Sequence, residues 1–135
     1  ESLYEAVRYS REHGNYRLAY LFAKAVKDCQ LPAREAIVIH LPIYQFLWHY
    51  ELAMSSSHVG DFQQGWESSK WILLSKDAFY WTKYQVSENL HQYVATARAD
   101  SWNNRQTIIE ILEDFERQGA KVSEALAMLR QQNAF

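Results

Sequence analysis

Five histidines are the residues of this chain best suited to hold a metal or move a proton near neutral pH: His13, His40, His49, His58 and His91. A metal site on one helix needs two ligands three or four positions apart, because that spacing puts both on one face. No histidine here has another His or Cys at that distance. No metal ligands and no cofactor are therefore expected, and the histidines read as surface or core-edge residues; a site assembled from several helices is the one arrangement left. The carboxylates point the same way. Metal-dependent sugar transferases of one major fold hold a divalent ion with Asp-x-Asp, and this chain has none. It also lacks a glycine-rich phosphate loop and a nucleophile elbow. Glu110, Glu113, Asp114 and Glu116 cluster, and they read as the solvated face of a helix. The expectation is a chain that is not an enzyme.

Binding chemistry is better represented. Arg8 and Arg11 are three apart, so on a helix they share a face and could receive a carboxylate or phosphate. Aromatic residues make up 15% of the chain, with five Trp and nine Tyr, and Tyr, Trp and Arg are the usual anchors of interfaces. Trp48, Trp66, Trp71 and Trp81 offer faces on which a sugar ring could stack. Trp66 falls on a core stripe with Phe62, whereas Trp71 lies off that stripe and is the one expected to be exposed.

The elements that must position these residues are helices. Four Gly and two Pro supply little turn chemistry for an all-β fold, and 48% apolar against 22% charged residues exclude disorder. At 135 residues the chain is one domain with a real core. A net charge of −2 gives no footprint for nucleic acid. No apolar run approaches the roughly 18 residues of a membrane span, and no signal peptide is visible. The single Cys29 cannot form an internal disulfide, which suits a cytoplasmic location. Because the sequence opens at Glu1 directly in helical pattern, a domain cut from a longer protein is expected.

Apolar spacing predicts helices at 2–13 (Leu3, Ala6, Val7 and Ser10 on one face), 16–29 (Ala19, Phe22, Ala23, Val26), 42–58, 62–75 (Phe62, Trp66, Ser69, Leu73), 78–99 and 102–118 (Ile108, Ile111, Leu112, Phe115 inward). Ser123 is expected to cap a short seventh, which holds Leu126 and Leu129. The segment 33–41, with Ile37-Val38-Ile39, is either an extended connector or a helical turn. Pro42 suits the first turn of the third helix, which is apolar nearly all round and so central. Two hinges read alike: Gly14-Asn15-Tyr16 with Ala19, and Gly60-Asp61-Phe62 with Gly65. In each, glycine ends one helix, Asn or Asp caps the next, the aromatic fills the wedge and the small residue lets the helices approach.

These hinges resemble the tetratricopeptide repeat. Ala6, Val7, Ser10, Gly14, Asn15, Tyr16 and Ala19 stand at places matching Leu52, Ala53, Ser56, Gly60, Asp61, Phe62 and Gly65. Their 46-position separation exceeds the usual period of about 34, and the surplus lies in the connector around 30–42. That connector, Ile37 to Tyr44, carries a second resemblance together with Arg11 to Tyr16, Tyr50 to Ser55, Val59 to Phe62 and Ser87 to Leu90. Residues 4–94 look like the helical repeat region that accompanies glycosyltransferase-like proteins of microbes and viruses. The resemblance implies an all-α fold of about seven helices, paired antiparallel in a short right-handed superhelix. Residues 1–99 would form the pairs and 100–135 a C-terminal helical cap.

The repeat resemblance further implies a concave groove lined by the first helix of each pair. It would carry Tyr4, Arg8, Arg11 and Glu12, then Leu47, Tyr50, Met54, Ser57 and His58, then Tyr84, Glu88 and His91. The Lys and Asn with which chaperone-binding repeats clamp a terminal carboxylate have no counterparts at Tyr4, Arg8, Tyr50 and Met54. The function expected is a non-catalytic scaffold binding a peptide or neighbouring domain, within a larger glycosyltransferase-related protein. Two other readings are an accessory domain contacting a glycan or nucleotide sugar, and a self-associating module.

Overall fold

The computed structural model describes residues 2–28, 41–76 and 78–131. Among them all regular structure is helical. The helices are α1 (Ser2–Glu12), α2 (Tyr16–Asp28), α3 (Leu41–Val59), α4 (Phe62–Leu74) and α5 (Tyr80–Asn89). A 3-10 turn (Leu90–Tyr93) leads into the short α6 (Val94–Ala97), then α7 (Trp102–Arg117) and α8 (Ser123–Arg130). The all-α class expected from composition is thus the observed one. The connector 33–40, Cys29, His40 and the extreme C-terminal residues lie outside the described residues, as do the side chains of Leu3 and Tyr4.

Glycines set the corners. Gly14, Gly60 and Gly119 have φ of 85°, 82° and 100°, a region that side-chain-bearing residues avoid. Each ends its helix with the same pair of bonds. Asn15 N–H reaches the Ser10 carbonyl (2.7 Å), Asp61 N–H that of Ser56 (3.0 Å) and Ala120 N–H that of Phe115 (3.0 Å), while each glycine N–H bonds three residues back. Two of the following helices are capped as the side chains suggest: Asn15 Oδ1 accepts from Leu18 N–H (3.3 Å) and Asp61 Oδ1 from Gln64 N–H (3.1 Å). The expected cap at Ser123 is not formed, because the N-cap of α8 is the apolar Val122 and Ser123 is already its first residue.

Each helix from α1 to α5 packs on the next, and α1–α3 and α3–α5 also touch. α3 is central, with Phe46, Trp48, Tyr50, Glu51, Leu52, Ala53, Ser55 and Ser56 all buried. A small cluster (Val7, Ala19, Ala23, Trp48, Leu52) joins α1 and α2 to α3. A larger one runs from Phe46 and Trp66 through Leu90 and Tyr93 to Leu112 and Leu126, so α7 and α8 share the main core.

Several expected core positions are different. Ala6 is exposed, whereas Val7 is buried. Phe22 is exposed because α2 approaches its neighbours through the small Ala19 and Ala23, which turns Leu18, Leu21 and Phe22 outward. Phe62 is 43% exposed, since it opens α4 at the rim and meets only the edge of Tyr93, with ring centres 6.4 Å apart. On α7, Ile109 is buried where Ile111 was expected, and Ile111 is only half-buried.

The expected single helix 78–99 starts at Tyr80 and tightens at Leu90–Tyr93. Tyr93 ties this turn to α3. Its hydroxyl donates to the Ala53 carbonyl (2.6 Å) and accepts from Ser57 N–H (3.1 Å). These two groups lie one turn apart in α3. Asn89 Nδ2 donates to the same carbonyl (3.1 Å). The Tyr93 ring lies where a Cβ on Gly65 would be, so this glycine is required for close approach.

Candidate interaction surface

The expected groove residues divide when they are placed. Arg11, at the end of α1, reaches α3 and grips Glu51, with Nε to Oε1 at 2.5 Å and a terminal nitrogen to Oε2 at 3.3 Å. Glu51 is fully buried, and the Arg11 side chain is 14% exposed. This bidentate pairing fixes α1 on α3. The guanidinium also lies 5.4 Å from the centre of the Tyr50 ring. Tyr50 is 4% exposed, so it lies in the core rather than on an open groove wall. Burial raises its pKa first, and the nearby Glu51 and Glu12 add to this against the opposing charge of Arg11.

Arg8 stays exposed and sits 3.8 Å from both Glu5 and Glu12. Arg8 and Arg11 therefore do not form a joint anion clamp, because each already faces carboxylates of this chain. Met54 and Tyr84 are half-buried and packed against the main core. His58 is exposed and stacks on Tyr16, 3.6 Å between centres, at the far end of α3 from Tyr50.

What the groove scheme did not include is an aromatic ledge at the start of α5. Phe79, Tyr80 and Trp81 are consecutive and all about half exposed. Trp81, at 51%, stands edge-on to Tyr50 with centres 5.3 Å apart. Phe79 abuts Phe46 (4.8 Å), and Tyr80 lies against Phe115 (5.5 Å) while its hydroxyl donates to Gln118. Tyr84 meets Phe115 edge-on at 5.9 Å. Arg11 of α1, Tyr50 of α3 and Trp81 of α5 thus form one contiguous row. The signal was legible in part: three adjacent aromatics cannot all face inward on one helix, whose side chains are spread around its axis.

The other tryptophans are committed. Trp66 is buried, as its stripe suggested, and its Nε1 donates to Asp100 (2.9 Å). Trp71, expected to be exposed, is half-buried and stacks on His49 at 4.3 Å. It still borders a cleft shared with Glu67, Lys70, Leu74 and Ser75. Lys70 donates to Asp100 at 2.6 Å. Asp100 is held well below the usual carboxylate range: burial works to raise it, but Lys70, Asn104, Trp66 and the Ser101 N–H together outweigh burial. Among the described residues no group of His, Cys, Asp and Glu could hold a metal ion, and no helix is long and apolar enough to cross a membrane.

The chain matches no family model, no curated protein and no solved structure. Its functional reading therefore rests on its own side chains. Among these Phe79, Tyr80 and Trp81, half exposed and backed by the buried Tyr50, have the composition of a binding surface.

Proposed function

We propose that this chain is a non-catalytic interaction module that docks a peptide or a neighbouring domain on the ledge around Trp81. The carrying observation is that Trp81 stays half exposed although it is backed by Tyr50 and flanked by Phe79 and Tyr80. A large aromatic held rigidly from behind and open in front is the typical anchor of an interface. The wall behind it is fixed by the Arg11–Glu51 pair, which lowers the ordering cost of binding. A place in a larger glycosyltransferase-related protein is supported by the sequence pattern of residues 4–94 alone.

A peptide library selected on the folded chain tests this. Trp81→Ala should weaken the selected peptide at least tenfold with unchanged circular dichroism, while Glu110→Ala on the outward face of α7 should not. Undiminished binding by folded Trp81→Ala would sink the proposal. The exposed Trp81 face also favours a second reading, in which it stacks on a glycan ring. Saturable change of Trp fluorescence by a monosaccharide, lost in Trp81→Ala, would select that reading over peptide binding. Self-association through the same ledge would appear in light scattering as a dimer that Trp81→Ala dissolves.

A further inference from the structure

The inward stripe of α7 consists of Arg105, Ile108, Ile109, Leu112 and Phe115, all buried. The first place on that stripe, three and four residues ahead of the two isoleucines, calls for an apolar side chain. It holds a guanidinium instead. Arg105 is 8% exposed, and its Nε is buried with no hydrogen-bond partner. Among the described residues no carboxylate stands within ion-pair distance of it. Its guanidinium rests over the Trp102 ring, 4.8 Å from the centre.

This arrangement is costly. Arg stays charged in proteins, and a buried N–H left without a partner costs about 1–3 kcal/mol. The Trp102 ring returns only on the order of 2 kcal/mol even when desolvated. Three acids on or next to α7 are already engaged. Asp100 accepts from Lys70 Nζ (2.6 Å), Trp66 Nε1 (2.9 Å), Asn104 Nδ2 (2.8 Å) and Ser101 N–H (2.8 Å). Glu113 is held by Arg130 (2.8 Å), and Asp114 by Arg117 (3.2 Å).

We infer that Arg105 is the counter-charge for a small oxyanion, a carboxylate or phosphate group carried by a ligand, seated beside Trp102 on the N-terminal half of α7. Both groups present a pair of oxygens that accept side by side from the guanidinium fork. The part of Arg105 left open to solvent is the point of entry. The site lies in the C-terminal helices and does not depend on the ledge at Trp81.

The whole chain is titrated with inorganic phosphate and, separately, with acetate, each against chloride at matched ionic strength. The Arg105 Nε–H resonance and the Tm are followed together. A saturable shift of that resonance is expected, with a Tm rise of about 3–6 °C at ten times the dissociation constant. Arg105→Met should abolish the rise. Response to phosphate alone assigns a phosphate ligand, and response to acetate alone a carboxylate. Arg105→Lys, which keeps the charge without the fork, serves if the Met variant does not fold, and should reduce the rise severalfold. An Nε–H signal unmoved by both anions overturns the inference, as does a Tm rise that survives in the folded variant.

Discussion

His49 illustrates how a residue suited to chemistry becomes a structural one. Its ring stacks on Trp71 and its Nδ1 lies 3.2 Å from Ser68 Oγ. Burial, and then the positive charge of Lys27, lower its pKa from 6.5 to about 4. The fold thus favours the neutral ring. Between the two values the unfolded chain takes up a proton that the folded chain refuses. Stability from this group is complete above pH 6.5 and is lost as pH falls toward 4. The expected loss is on the order of 1–2 kcal/mol after allowance for partial exposure. Urea midpoints measured across that window should fall with pH, and His49→Phe should flatten the slope. An identical slope in the variant would place the titrating group elsewhere. The sequence identified His49 as titratable and unpaired with other ligands. It carried no sign of Trp71 as its partner, because the two are 22 positions apart and meet only when α3 and α4 pack.

At the scale of elements, the hinge glycines and caps were legible because their physics is local. Gly14 and Gly60 adopt the left-handed conformation that glycine alone tolerates freely, and Asn15 and Asp61 cap the next residues along the chain. The tightened turn at Leu90–Tyr93 was not legible, and its Tyr93 hydroxyl finds its partners at Ala53 and Ser57, 40 and 36 positions away. Two substitutions probe that contact. Tyr93→Phe should cost about 1–3 kcal/mol by leaving buried backbone groups without the hydroxyl. Gly65→Ala should cost at least as much, because its methyl collides with the Tyr93 ring. Chemical unfolding gives both values, and amide exchange at Ser57 should accelerate in Tyr93→Phe. Unchanged exchange there would mean that the hydroxyl does not protect that amide.

For the whole molecule, Arg11 and Glu51 tie α1 to the central α3. They are 40 positions apart, and a fully buried glutamate in an apolar helix announces no partner in sequence. Arg11→Met removes the bidentate partner of a buried carboxylate, with an expected cost of about 3–5 kcal/mol. The loss should appear first as faster amide exchange in α1, while α7 and α8, held by the larger core, keep their protection. Uniform acceleration over the whole chain would show instead that the helices unfold as one unit.

What this sequence determined by itself was the set of local choices: helices rather than strands, corners at Gly14 and Gly60, caps at Asn15 and Asp61, and a central, mostly apolar α3. These follow from interactions within a few residues, which composition and spacing encode directly. Only the tertiary structure decided which aromatics stay open. Tyr50 and Trp81 are both large, apolar and helical, yet one is buried and the other half exposed. The difference comes from how closely neighbouring helices approach, set by Ala19, Ala23 and Gly65 and by the reach of Arg11 and Tyr93 across the chain. Burial depends on what arrives from distant segments, and periodicity within one helix does not carry that.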